Sequence, residues 1–315
     1  MKWLAYGGAI LLGCTLAACG GDDGDDGAGL EQVEGLPEVT FLSAVWSFGP
    51  NDVWVAADSG RLLHYDGAAW NTTTLEPAAT MVDLWGFAPD DLYAVGANTL
   101  AHFDGAGWTQ TDLSTVGAGI SSVGTVWGTS GTDLWLGGDQ STAAHFDGTT
   151  WTREIAGSTE NVALWGSGPD DVYIGGVFEV AHYDGSAWTP LEDAFQHRAS
   201  AIYGFGPDDV WVADDSELSH FDGTAWETTE LDGIGGASRL WGPAPDDIWG
   251  VGDFGVVVRY DGTSWREVQS QPLGAPYLQS FIDVHGSSSA DVWVVGVEHG
   301  DAGSTPQLFR RPQGG

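Results

Sequence analysis

From Trp46 onward, short apolar runs alternate with clusters of Gly, Pro, Asp and Asn, and no segment sustains a capped 3.6-residue apolar period. The pattern predicts an all-β chain built from one repeated unit. Aligned on the aromatic residue that ends the first apolar run, the units start from Trp46, Trp85, Trp127, Trp165, Tyr203, Trp241 and, in the last copy, His285. The anchors are spaced by about 40 residues, the period of four-stranded propeller blades. Six residues after each anchor stands Asp: Asp52, Asp91, Asp133, Asp171, Asp209, Asp247 and Asp291. Eight residues after it stands an aromatic: Trp54, Tyr93, Trp135, Tyr173, Trp211, Trp249 and Trp293.

Each unit continues into a His-aromatic-Asp-Gly step and a Trp, as in His64-Tyr65-Asp66-Gly67 with Trp70 or His145-Phe146-Asp147-Gly148 with Trp151. The sixth unit puts Arg259 where the others have His. Asp-Gly between two short runs marks a hairpin, because Gly accepts the positive φ of a tight turn. Pro-Asp-Asp, as at Pro89-Asp90-Asp91, marks the turn between the first two strands. One unit therefore reads as strands over Met81 to Gly86, Asp91 to Gly96, Thr99 to Phe103 and Trp108 to Leu113. The seventh unit supplies three strands, at Phe281 to His285, Asp291 to Gly296 and Gln307 to Arg311. Its missing fourth strand matches Leu30 to Pro37, which aligns with Trp265 to Pro272 of unit six. The expected architecture is a seven-bladed β-propeller over residues 30–315, closed by an N-terminal strand that removes the open edges.

The start of the chain carries an address. Lys2, the apolar run Trp3 to Leu16 and the step Leu16-Ala17-Ala18-Cys19 resemble a bacterial lipoprotein signal, in which small residues fit the peptidase and the Cys is acylated. Residues 1–18 would then be removed, Cys14 with them. Cys19 would hold the membrane through lipid, and residues 19–29, rich in Gly and Asp, would form a flexible acidic tether. This implies the cell envelope, in particular the outer membrane of a Gram-negative bacterium. The repeats themselves resemble the WG-x₄-D-[VL]-[WY] and H-[YF]-D-G-x-x-W units of predicted β-propeller lipoproteins from myxobacteria and related bacteria, over residues 30–311. The Asp-Gly-x-x-Trp step is also distantly similar to the Asp-box of sialidase-like propellers, and the Gly-His and Trp-Asp signatures of WD40 repeats are absent as such. The resemblance implies a surface propeller and brings no catalytic residues with it.

Composition narrows the function. The 315 residues hold 45 acidic against 9 basic groups, a net charge of −36 that becomes −37 once Lys2, the only Lys, is cleaved away. Such a chain repels phosphate, so nucleic acid is excluded as a partner. Without Lys there is no Schiff-base chemistry, and no nucleophile elbow, phosphate loop, dinucleotide fingerprint or His-Glu-x-x-His is present. No cofactor is expected. Each turn offers one carboxylate, far short of the six to eight oxygens of a Ca²⁺ site, so at most weak Ca²⁺ binding is conceivable. The His-x-Asp pairs, for example His64 and Asp66, are expected to hydrogen-bond and fix each hairpin. The three Trp columns are expected to fill the wedges between blades.

Function is expected where the repeat breaks. Two residues before the anchors stand Ala44, Asp83, Thr125, Ala163, Ala201, Arg239 and Asp283, which share no chemistry. With the first strand innermost, this column lies near the channel. Arg239, Asp283 and His285, with His197 and Arg198 at the entry to blade five, form the candidate ligand patch at one mouth of the ring. The alternative is an Arg239–Asp283 ion pair that merely satisfies the channel. The reading is a monomeric, non-enzymatic binding or scaffold propeller for an extracytoplasmic protein or glycan. A sialidase- or lyase-like carbohydrate enzyme and a purely structural envelope protein are the alternatives, the enzyme weakened by a total of only 8 Arg.

Overall fold

The computed structural model describes residues 29–116, 120, 122–157, 160–177, 179–191, 198–214, 216–231, 236–269, 278–300 and 303–312. The signal, Cys19, nearly all of the tether and His197 lie outside the described residues. What is described is a seven-bladed propeller of antiparallel four-stranded sheets. Unit two forms the strands Asp83–Ala88, Asp91–Gly96, Thr99–Phe103 and Trp108–Asp112, within two residues of the bounds read from sequence.

The ring closes as expected. Glu31–Gln32 pairs with Gly303–Arg310 as the fourth strand of blade 7, Glu31 opposite Arg310 and Gln32 opposite Phe309. The exposed Arg310–Glu31 ion pair adds little in water. More of the closure comes from Leu30, Val33 and Leu36, which pack onto the cores of blades 6, 7 and 1.

Blade 7 is longer than its sequence pattern suggests. Its first three strands run Leu278–Ser288, Asp291–Gly300 and Gly303–Arg310, against five to eight residues for most strands elsewhere. The excess, Leu278–Ser280 against Val297–His299 and Ser304–Pro306, continues the ladder past the normal end of a blade. It is braced by a bridge from Ser280 to Asp253 of the neighbouring blade. No Gly or Pro interrupts Val292 to Val295 or Val297 to His299, so nothing in the chain stops the strand at Gly296.

The two signature columns turn out to be one device. His64 sits directly across from Trp54, stacks on its ring at 4.0 Å, and donates its Nε2 proton to Asp52 Oδ1 at 2.8 Å. The same triplet recurs as Tyr93–His102–Asp91, Trp135–His145–Asp133, Tyr173–His182–Asp171 and Trp211–His220–Asp209. Asp and aromatic share a face because they are two apart on one strand, and the register brings His to both. In blade 6 Arg259 substitutes, its Nε 2.7 Å from Asp247 Oδ1 and its guanidinium over Trp249. The expected His64–Asp66 bond does not form. Asp66 lies beyond the strand end, where its Oδ1 accepts the Ala68 and Ala69 N–H groups of the hairpin turn. The equivalent Asp222 and Asp261 are held down at about 2 by the Thr224 and Thr263 hydroxyls and by turn N–H groups.

The stacked aromatics fill the wedges between blades, as expected of that column: Trp54 meets Phe103 and Trp108 of the next blade at 5.0 and 5.5 Å. Trp293 meets Tyr65 and Trp70 of blade 1 and so carries the same contact across the closure. Replacing His145 by Leu removes a stacked ring and the bond to Asp133 while leaving Trp135 in place. It is expected to lower unfolding stability by about 1–2 kcal/mol, read by thermal or chemical denaturation.

Candidate functional site

The anchor column does something else. First strands pack against one another around the axis, and each anchor reaches over the residue that follows the anchor of the next blade. A side chain at Gly86 would lie 2.6 Å from Trp46, and one at Gly166, Gly204 or Gly286 would lie 2.7 Å from Trp127, Trp165 or Trp241. Trp85 Nε1 donates to Gly128 O at 3.2 Å and the Tyr203 hydroxyl to Gly242 O at 2.7 Å. The Trp-Gly dipeptide thus records a close approach between blades, and the anchors form a ring about the axis rather than a wedge filling.

The seventh contact is different in kind. His285 is the anchor there, and the residue it meets is Ser47 instead of Gly. The smaller ring leaves room for a hydroxymethyl group. His285 Nδ1 accepts the Ser47 backbone N–H at 3.0 Å, while Ser47 Oγ donates to Asp291 Oδ2 at 2.6 Å. His285 also stacks on Trp46, with ring centroids 3.9 Å apart. Ser, His and Asp meet here without the roles of a nucleophilic triad. The hydroxyl is bound to the carboxylate, and the imidazole takes only a backbone proton.

Above this ring lies a cavity of about 170 Å³. Its walls come from the starts of all seven first strands and the residues just before them, including Ser43, Val82, Gly124, Val162 and Ser200, and stop at the anchors. The aromatic ring is its floor. Its mouth opens on the face carrying the blade-to-blade crossovers and the turns between second and third strands, where Leu75 N–H meets Gly60 O. The Pro-Asp-Asp and Asp-Gly turns occupy the opposite face, where Gly67 lies against Asn51.

The column two before the anchors forms the collar of this cavity. Asp83 Oδ2 accepts Val126 N–H from blade 3 at 2.9 Å, and Asp283 Oδ2 accepts Val45 N–H from blade 1 at 2.9 Å. Arg239 Nη1 donates to Ser200 O of blade 5 at 3.1 Å and to Ser238 O at 2.8 Å. Each charged group thus staples its blade to a neighbour. Arg239 makes no direct ion pair with Asp283, although its field reaches both carboxylates. Burial pushes the Asp283 carboxyl up to about 7, opposed by Arg239 and reinforced by Asp83, and it pushes Asp83 up as well. Burial pushes His285 down to about 3, so its ring is neutral at physiological pH. All three groups are enclosed by protein yet keep partial access to the channel, and water there softens these penalties without reversing them.

Of the sequence-derived patch, Arg239, Asp283 and His285 meet in this cavity. Arg198 does not line it and stands exposed ahead of buried Ala199 and Ser200. Asp83 belongs to the collar although blade 2 is far from blades 6 and 7 in sequence; on the ring only blade 1, with Ala44, separates it from Asp283. Among the described residues no group of three or more His, Cys, Asp or Glu gathers as a metal site.

No protein-family model and no curated protein sequence matches the chain. Solved structures do. A structure of YCF48 bound to a D1 peptide superposes with a TM-score of 0.66 at 15% identity, over 91% of this chain and 97% of that one. The WD40 propeller domain of Doa1 gives 0.67 at 10% identity, over 91% and 98%, and a chain of the mitotic checkpoint complex gives 0.65 at 14%, over 98% and 99%. The shared property is the fold. This chain is a seven-bladed β-propeller.

Proposed function

We propose that the chain is an envelope lipoprotein, anchored through lipid on Cys19 and the tether of residues 19–29, whose propeller binds a protein partner without catalysing a reaction. The observation that carries the binding reading is the collar: Asp83, Arg239 and Asp283, on strands of three different blades, surround a cavity that opens on the crossover face. A rigid ring presenting charged groups at one mouth suits recognition, since the groups are held in place before the partner arrives. Two of the similar structures were solved with protein partners, a D1 peptide in one and a checkpoint assembly in the other, which supports the same use here. The lipobox-like step ending at Cys19 supports the address, in the outer membrane of a Gram-negative bacterium.

Two measurements test this. Cys19→Ser is expected to move the protein from the membrane to the soluble envelope fraction, and retention in the membrane would remove the anchoring claim. A photo-crosslinking residue at Val82, 38% exposed at the channel mouth, is expected to give a discrete protein adduct in the native envelope. The same residue at exposed Asn51 on the opposite face is expected to give none, and the reverse pattern would place binding on the wrong face.

A further inference from the structure

We infer that the mouth of the channel is a binding site for an α-ammonium group with an oxygen acceptor beside it, the chemistry shared by a free amino acid and the first residue of a peptide. The inference rests on the crossover mouth being the binding face, and it adds what the mouth recognises.

The donors are set by the geometry. His285 Nδ1 is occupied by the Ser47 N–H, so the ring's own proton sits on Nε2, and Nε2 has no partner among the described residues although the ring lines the cavity. Arg239 uses only Nη1 on Ser200 O and Ser238 O, and its Nε and Nη2 likewise hold no partner among the described residues. A carboxylate or carbonyl oxygen satisfies these groups. The acceptors are Asp83, whose Oδ2 takes the Val126 N–H and Oδ1 the Leu84 N–H, and Asp283, whose Oδ2 takes the Val45 N–H; with about four lone-pair sites on a carboxylate, each keeps acceptor capacity to spare. With both ionised the collar carries two negative charges against one positive, and one ammonium balances it. The remaining wall mixes the small polar residues Ser43, Thr125 and Ser200 with apolar ones, and Ala163 and Ala201 stand on the side away from Asp83 and Asp283. At about 170 Å³ the space holds about five or six waters, well below the roughly 300 Å³ at which drug-sized sites begin, and so suits a single small residue.

The site also has a proton to lose. Asp283 faces Arg239 from blade 6, Asp83 from blade 2 and His285 on its own strand, and burial holds its carboxyl up at about 7. Below that pH a proton occupies the charge the ammonium needs. Affinity for an amino acid is therefore expected to rise about tenfold per pH unit up to pH 7 and to level off above it.

The test is calorimetric titration of the full chain in detergent with L-alanine, L-alaninamide and N-acetyl-L-alanine. Alanine or alaninamide is expected to bind, with N-acetylalanine at least tenfold weaker because it has no ammonium. Alaninamide matching alanine identifies a peptide N-terminus as the source, and alanine binding alone identifies a free amino acid. Asp283→Asn, which can still accept the Val45 N–H, is expected to weaken binding at least tenfold with unchanged secondary structure. N-acetylalanine binding as well as alanine, no binding by either amine, or an Asp283→Asn protein that binds like the wild type would each overturn the inference. None of those results would disturb a crosslink at Val82, so the two readings fail separately.

Discussion

Replacing Gly286 with valine is expected to destabilise the propeller by about 3–4 kcal/mol, whereas the same change at Gly206 is expected to stay within about 0.5 kcal/mol. Both glycines lie on first strands, Gly286 in blade 7 and Gly206 in blade 5. A Cβ at Gly286 would stand 2.1 Å from the Asp291 carbonyl oxygen and 2.7 Å from the Trp241 ring, and one at Gly206 would meet nothing within 4 Å. The carbonyl belongs to the first residue of the paired second strand and the ring belongs to the preceding blade, so relief requires a backbone shift at a blade interface. The difference is read from chemical-denaturation midpoints, and equal midpoints would mean that the approach of the anchors is not restrictive. Ser47 gives the internal contrast: a side chain is accepted at the equivalent place in blade 1 because its neighbouring anchor is His285 and not Trp.

The second large effect is a pair of opposed pH slopes. Asp283 has a carboxyl raised to about 7 in the fold, so between about pH 4 and 7 the folded state binds its proton more readily than the unfolded chain does. Its contribution to stability is present at low pH and is lost as pH rises through that window. His285 is lowered to about 3, so between about pH 3 and 6.5 the unfolded chain is the one that binds the proton. Its contribution is lost as pH falls. Asp83, also raised, adds to the direction of Asp283. In the wild type the imidazole slope opposes the carboxyl slopes over pH 4.5–6.5. Asp283→Asn is expected to tilt the profile upward with pH by about 1 kcal/mol per unit. His285→Gln, which keeps an acceptor for the Ser47 N–H, is expected to tilt it downward by about as much. Parallel profiles for both variants would show that channel water has erased the burial penalties.

Blade number, strand order and the closing strand could all be read from the sequence because one 40-residue pattern repeats seven times and each turn residue has a single geometric use. The partner of each His could not. His64 is two residues from Asp66 and twelve from Asp52, yet cross-strand register, which no local spacing reveals, selects Asp52. Sequence shows that Gly follows Trp without showing that the Trp it accommodates belongs to the previous blade. Arg239 and Asp283 stand out as departures in the column two before the anchors and His285 as a departure among the anchors, and all three line the channel. Asp83 stands in the same column as Arg239 and Asp283, but its place beside them follows from adjacency on the ring, which differs from adjacency along the chain. The patch also took in Arg198 from its place in the chain alone, and the structure leaves that side chain outside the cavity.

The closing strand also sets an orientation. Glu31–Gln32 runs antiparallel to Gly303–Arg310, so it ascends from the Pro-Asp-Asp face toward the crossover face, and Gly29 leaves the ring on the former. A lipid attached at Cys19 would lie ten residues further back, within about 35 Å of that exit even when fully extended. An anchor there would leash the disc by its turn-bearing underside and leave the collar free to face away from the bilayer, into the space where a partner would arrive.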